Sequence, residues 1–314
     1  MFGAIIGDIC GSYHEFKDAK GFFLPLNVIG HSSFTDDSVL TCATASKLLG
    51  EHETFASAYR DAFHKYKNQN SNGEGSIDIG YGSHFTKWAL GTSVDGYGSK
   101  GNGSAMRISP VAYFADSETG TLELARESAE STHNSKEAVF AAQATALAIY
   151  LCLEGILTPK QINDRIELMS ASVYSGYENP YTKTLNLKEL NKNYKFSALA
   201  DKSVPIAIKV GLQARSFEEA VRMCLYIGGD CDTTAAIAGS IAEARHGIPV
   251  EMMNVSFVFA MYAKDLSKTA HSFYETYCEP KIPKTQATLT FSQRMVWKAI
   301  DLKIPFAEKS LNSL

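Results

Sequence analysis

Apolar residues recur along this chain at steps of three and four, the spacing of one helical face, and rarely at steps of two. Phe55, Tyr59, Phe63 and Tyr66 form one such stripe and predict a helix over 55–66. An Ala-rich stretch predicts the strongest helix, over 136–153, stopped by Gly155. A helix over 37–49 opens after Thr35-Asp36 and ends at Gly50. Pro159 suits the first turn of a helix that runs to residue 172. Shorter patterns predict helices over 122–131, 204–212, 217–226, 233–245, 250–264, 269–277 and 291–303. The stretch 68–103 is rich in Gly, Ser and Asn and reads mostly as loop. The polar and aromatic stretch 174–193 contains Pro180 and reads as a surface insertion. Many helices with short connections predict an all-α fold, a compact bundle of many helices. Two acidic clusters flank both loop-rich stretches, so neither reads as a linker, and one domain over 1–314 is expected. No repeat of 20–50 residues is evident.

Composition narrows the function classes. A hydrophobic content of 45% with 20% charged residues is that of an ordinary globular chain rather than a disordered one. A net charge of −4 and the lack of a strong basic run disfavour a dedicated nucleic-acid binder. The six cysteines form no C-x-x-C pair, which argues against a zinc ribbon, and several lie in apolar stretches as small hydrophobes do. Met1 leads directly into Phe2-Gly3-Ala4-Ile5-Ile6 with no signal-peptide pattern. No apolar run is read as long enough to cross a membrane, and a reducing cytoplasm is the expected compartment.

The chemistry concentrates in two clusters almost two hundred residues apart. One is Phe34-Thr35-Asp36-Asp37-Ser38, the other Gly228-Gly229-Asp230-Cys231-Asp232-Thr233-Thr234. Each joins two carboxylates to hydroxyls and opens an apolar helix. Alone, either is explained as a helix cap, because Thr, Ser and Asp favour helix starts and the dipole favours acids there. Together they form an oxygen-only donor set of the kind that suits Mg²⁺. Two like charges about 4 Å apart repel by roughly 4 kcal/mol at an effective dielectric near 20. Four converging carboxylates therefore call for cations, and two Mg²⁺ ions would balance them. Asp230 and Asp232 would diverge by about 200° within a regular helix. They are accordingly expected in the turn before it, where Gly228 and Gly229 give the backbone freedom.

Three weaker motifs accompany the clusters. Gly7-Asp8-Ile9-Cys10-Gly11-Ser12-Tyr13-His14-Glu15-Phe16 offers Glu15 as a general acid or base, or as a solvated Glu at a helix end. Gly101-Asn102-Gly103-Ser104-Ala105-Met106-Arg107 is a Gly-rich helix entry able to face a phosphate, or a plain turn. Thr132-His133-Asn134 precedes the strongest helix, and His133 reads as a ligand contact or as a satisfied histidine near a cap.

The order of these motifs resembles the ADP-ribosylglycohydrolase family, which includes the dinitrogenase-reductase-activating glycohydrolase and the ADP-ribosyl-acceptor hydrolases. The matching pieces are G-D-I-C-G-S-Y-H-E-F, F-T-D-D-S, G-N-G-S-A-M-R, T-H-N and G-G-D-C-D-T, spread from Gly3 to about Gly247. The resemblance implies an all-α fold around a central cleft with a binuclear Mg²⁺ site, Mn²⁺ being a possible substitute. Thr35, Asp36 and Asp37 would hold metal from one side, and Asp230, Asp232 and Thr233 from the other. Glu15 and Asp37 are the catalytic candidates. Gly101, Asn102, Gly103 and Ser104 would line a diphosphate pocket, and His133 would contact ADP-ribose. Cys231 sits between two aspartates where it need not bind metal, and His14 is an unusual neighbour for Glu15. No motif fixes an adenine-stacking aromatic, with Tyr174 and Tyr177 as weak candidates.

The implied reaction is hydrolysis of the glycosidic bond between ADP-ribose and an acceptor. The substrate would be an ADP-ribosylated protein or a small molecule such as O-acetyl-ADP-ribose, with a nucleic-acid acceptor not ruled out. The rival reading is an inactive ADP-ribose binder or a structural, crystallin-like relative. Prenyl and terpene synthases fit poorly, because Asp36-Asp37 is followed by Ser38-Val39-Leu40 without the third Asp of D-D-x-x-D. HD-type phosphohydrolases need a His-Asp pair, which the chain lacks.

Overall fold

A computed structural model of the chain describes residues 1–17, 20–28, 31–67, 79–93, 95–253, 255 and 263–281. Among the described residues there are helices and no strands, only an isolated antiparallel bridge between Gly101 and Leu199. The helices are α1 (Phe2–Ser12), α2 (Asp36–Leu48), α3 (Phe55–Tyr66), α4 (Ser83–Leu90), α5 (Gly103–Met106), α6 (Ser109–Phe114), α7 (Glu118–Glu130) and α8 (Lys136–Glu154). They continue with α9 (Pro159–Val173), α10 (Leu187–Asn193), α11 (Ala200–Gln213), α12 (Phe217–Ile227), α13 (Cys231–His246), α14 (Val250–Met253) and α15 (Lys264–Phe273).

The capping chemistry sets many of these starts. Thr54 with Ser57 and Thr158 with Gln161 form reciprocal capping boxes at α3 and α9, and Pro159 occupies the first turn as expected. Ser117 accepts from Gly120 N–H and begins α7 four residues earlier than the apolar pattern suggested. α8 ends at Gly155, whose φ of 66° is the left-handed conformation that glycine adopts freely.

Several expectations need correction. The loop-like stretch 68–103 contains α4, and 174–193 contains a 3₁₀ turn (Pro180–Thr182) and α10. Tyr181 in that insertion is fully buried against Phe140, so the segment is partly core. α11 begins a turn before Val204 and carries Pro205 in its interior. The expected helix over 269–277 starts instead at Lys264 and closes in a π-turn at Tyr274–Cys278. Of 250–264, residues 254 and 256–262 lie outside the described residues, as does all of 291–303. α8 is also long and apolar enough to cross a membrane by length and composition, against the sequence reading. Its most apolar window is 67% buried within the molecule, where it packs on α7, α9, α11 and α13, which is the place of a core helix.

The site is positioned by one close contact. α1 lies along α13 through Gly3, Gly7 and Gly11, spaced four apart on one face. A Cβ on Gly7 would fall 2.1 Å from Ala235 O, and one on Gly3 would fall 2.4 Å from Gly239 O. Only glycine lets the two backbones approach this far. The buried Glu243 of α13 accepts from Gly3 N–H at 2.9 Å and pairs with the Met1 ammonium, fastening the start of α1. α12 and α11 cover other sides of α13, and α2 packs on α1, α3 and α15. The C-terminal end of α1, the starts of α2 and α13, and α5 thus meet at one cleft.

Candidate active site

The two acidic clusters converge. Thr233 Oγ1 donates to Asp37 Oδ2 at 3.2 Å, joining residues 196 positions apart. Asp37 is buried, and its Oδ1 has no hydrogen-bond partner among the described residues. Glu15, Asp230 and Asp232 approach from the other side, each with a carboxylate oxygen within 4.8 Å of the others. The cleft has a volume of about 410 Å³ and is lined by Glu15, Thr35, Asp36, Asp37, Asp230, Asp232 and Thr233 on this wall.

Local structure explains each placement. Thr35 is the N-cap of α2, and its Oγ1 accepts from Asp37 N–H at 3.3 Å, so capping and site geometry coincide. Asp230 is the N-cap residue of α13. Asp232 lies in the first helical turn rather than before the helix, its Oδ1 accepting from Thr233 N–H at 2.8 Å. Gly228 and Gly229 do provide the entry, with φ of 78° and 83°. The side chain of Asn102 bridges Asp230 Oδ2 at 2.7 Å and Ser203 Oγ at 3.0 Å, fixing the carboxylate from the opposite side.

Asp8 is the group that the sequence reading left unassigned. It is wholly buried and accepts from Thr35 N–H and Thr35 Oγ1, both at 2.9 Å, from Ser38 N–H at 3.1 Å, and from Ser38 Oγ. It therefore locks the start of α2 onto α1. Its signal was present in the Gly7-Asp8 motif, but a carboxylate serving the backbone of another helix has no local signature.

The electrostatics follow from crowding. Burial raises the pKa of Asp8 to about 6, with the hydrogen bonds from Ser38 and Thr35 restraining the rise. Burial, then the charge of Asp230, lifts Glu15 to about 7. Burial and then the charge of Asp8 push Asp36 and Asp37 well above the carboxylate range. Burial and then Asp230 do the same to Asp232, and burial raises Asp230 itself. A cation would relieve all of these shifts at once. The all-oxygen donors, the orphaned Asp37 Oδ1 and the three-carboxylate group suit a hard divalent ion.

The Gly-rich loop and His133 border the same cleft, and Asn102 ties the loop to Asp230. Gly101, Asn102, Gly103 and His133 line the cleft; Ser104 does not, because its hydroxyl donates to Ala138 O at 2.8 Å in the core. Gly101 N–H and Asn102 N–H are engaged by Ser99 Oγ and Ala198 O. Further lining residues that the sequence reading did not single out are Phe16, His84, Phe85, Tyr97 and Phe196. Tyr174 and Tyr177 are not among the lining residues. His14 is turned away, with Nε2 at 2.9 Å from Pro25 O, and leaves the cleft clear. Cys231 is buried and is not among the lining residues.

The chain is similar to several known proteins. The chain is 28% identical to the ADP-ribosylhydrolase ARH3 of Danio rerio over 90% of each chain. It is 26% identical to the ADP-ribosylhydrolase ARH3 of Homo sapiens, over 79% of this chain and 84% of that one. Identity to the ADP-ribosylarginine hydrolase Tri1 of Pseudomonas putida (strain GB-1) is 25%, over 79% of this chain and 70% of that one. A solved structure titled an ADP-ribosylglycohydrolase-related protein complex shares the fold, with a TM-score of 0.61, 20% identity, and coverage of 87% of this chain and 95% of that one. Residues 1–277 match the family model described as ADP-ribosylglycohydrolase, and the chain belongs to that family.

Proposed function

We propose that this cleft hydrolyses the glycosidic bond joining ADP-ribose to an acceptor, a protein side chain above all, in a Mg²⁺-dependent reaction. The observation that carries the reading is the Thr233–Asp37 hydrogen bond, which joins the two acidic clusters in the cavity that His133 and the Gly101–Gly103 loop also line. Thr35, Asp36 and Asp37 would hold two ions from one side, and Asp230, Asp232 and Thr233 from the other. Bound there, the ions would orient the ribose hydroxyls and acidify a water.

The protein side chains supply the rest. Asp8 and Asn102 hold Thr35 and Asp230 in place. The Gly101–Gly103 loop would line the diphosphate, and His133 would contact the ADP-ribose. Departure of the acceptor leaves positive charge on the ribose, which the acidic wall stabilises. Glu15, half-buried with its pKa raised to about 7, would take a proton from the attacking water or give one to the leaving group. A cation beside it favours its ionised form, which is the form that accepts a proton.

The six thiols are free and five are buried, which supports a reducing, cytoplasmic setting. The test is release of ADP-ribose from arginine-, serine- and nucleotide-linked substrates and from O-acetyl-ADP-ribose, with Mg²⁺ and with EDTA. Metal-dependent release from one linkage supports the reading and names the acceptor. ADP-ribose binding without release from any of them would favour a binding protein instead.

A further inference from the structure

Three residues behind the Gly-rich loop form a chain of hydrogen bonds that ends in the cleft. Arg107 is wholly buried and forms no ion pair among the described residues. Its guanidinium lies over the Tyr59 ring, 3.9 Å from the centroid, and donates from one terminal nitrogen to Ser128 O at 3.1 Å and to Thr132 Oγ1 at 2.6 Å. Thr132 Oγ1 lies 2.7 Å from His133 Nδ1. Counting protons along this chain fixes their direction. Arg107 is always a donor. Thr132 Oγ1 accepts that hydrogen bond, and among the described residues its own hydroxyl hydrogen has one remaining neighbour, His133 Nδ1. If Nδ1 carried a proton as well, the buried hydroxyl hydrogen would have no acceptor, a costly arrangement.

We infer that Arg107 and Thr132 are positioning residues that hold His133 as the Nε2–H tautomer, so that its single donor faces the cleft and selects an acceptor oxygen on the ligand. His133 Nε2 has no partner among the described residues, and it borders the loop closely enough that a Cβ on Gly103 would sit 2.9 Å from it. Burial and the nearby Arg107 charge lower the pKa of His133 well below the usual range, so the ring stays neutral and one nitrogen alone is a donor. Hydrogen bonding at one ring nitrogen setting the role of the other is general for histidine. That the acceptor is a phosphate or ribose oxygen rests on the function proposed above; the tautomer does not.

The test reads the ring directly. Long-range ¹H–¹⁵N correlation spectra of the full chain, with His133 assigned by its loss in His133→Asn, should show Nδ1 unprotonated and Nε2 protonated. Thr132→Val removes the hydroxyl at nearly constant shape and should give a mixture with Nδ1–H, while Thr132→Ser should restore the original pattern. ADP-ribose affinity should fall by roughly five- to tenfold in Thr132→Val and recover in Thr132→Ser, the scale of one lost hydrogen bond. An Nδ1–H ring in the unsubstituted protein, or a Thr132→Val spectrum identical to it, overturns the inference. A tautomer switch without any ADP-ribose binding upholds it and sinks the functional reading instead.

Discussion

Gly11 lies so close to Asp232 that a Cβ added to it would meet Asp232 N and Cα at 2.4 Å. The atoms in the way belong to backbone, which cannot swing aside as a flexible side chain would. α1 carries Asp8 within it and Glu15 just beyond its end, while α13 carries Asp232 in its first turn. The distance between these carboxylates is therefore set by the absence of one methyl group. Gly11→Ala should destabilise the fold by about 1–3 kcal/mol, as overpacking does, and weaken Mg²⁺ binding by moving one acidic group from the other. Thermal unfolding with and without Mg²⁺ checks both effects. Gly82→Ala, where an added methyl meets open space, is the control for stability.

Asn102 makes a second prediction. Its amide donates to Asp230 Oδ2 at 2.7 Å and restrains the rise in that carboxyl's pKa. Groups that orient a metal-binding carboxylate typically contribute 10–100-fold to metal affinity, so Asn102→Ala should weaken Mg²⁺ binding by roughly that factor. Calorimetric titration with Mg²⁺ measures it. Unchanged affinity would mean that Asp230 holds its orientation without the amide.

The helices with polar starts and apolar stripes were legible in the sequence, because a cap and a period are local signals. The helix over 55–66, Pro159 in a first turn and the stop at Gly155 are features that the structure reproduces. α1 was not legible. Ten of its eleven residues are buried, so it has no polar face to set a period, and the glycines that suggest a broken helix are its contact surface. α4 was hidden by its Gly- and Ser-rich surroundings. At the site, the two acidic clusters stood out by composition, but their convergence depends on the α1–α13 approach and the Thr233–Asp37 bond. Asp8 escaped for a related reason: its partners Thr35 and Ser38 are 27 and 30 residues away. Ser104 shows the converse. The motif names the residue, and only packing shows its hydroxyl turned to Ala138.

The raised carboxyl pKa values predict how stability and metal binding depend on pH. Asp8 rises from 3.8 to about 6 and Glu15 from 4.5 to about 7, so the folded protein holds these protons more tightly than the unfolded chain. Their contribution to stability is fully present below about pH 4 and is lost as pH rises toward about 7. A divalent ion binds the ionised carboxylates and reverses that loss. The Tm gained with Mg²⁺ over EDTA should thus grow across the same interval. Taking the difference cancels ionisable groups outside the cleft. A Mg²⁺ shift that is constant from about pH 4 to about pH 7 would contradict a carboxylate-held ion.

Glu15→Gln separates proton transfer from metal holding. Glutamine keeps the size of the side chain and an oxygen donor but cannot accept a proton at neutral pH. If Glu15 is the proton acceptor, kcat should fall by roughly 10²–10⁴-fold and stay low at saturating Mg²⁺. Binding of ADP-ribose should persist, because the Gly101–Gly103 loop and His133, which also line the cleft, are unchanged. If Glu15 serves only to hold an ion with Asp230 and Asp232, the loss should shrink as Mg²⁺ is raised. The substitution also removes one charge from a crowded group, since Glu15 is among the charges that raise the pKa of Asp37 and Asp232. Those carboxyls should then ionise at lower pH, and the pH at which Mg²⁺ begins to stabilise the protein should move down with them. Single-turnover kinetics and Mg²⁺-dependent unfolding across pH read the two effects separately.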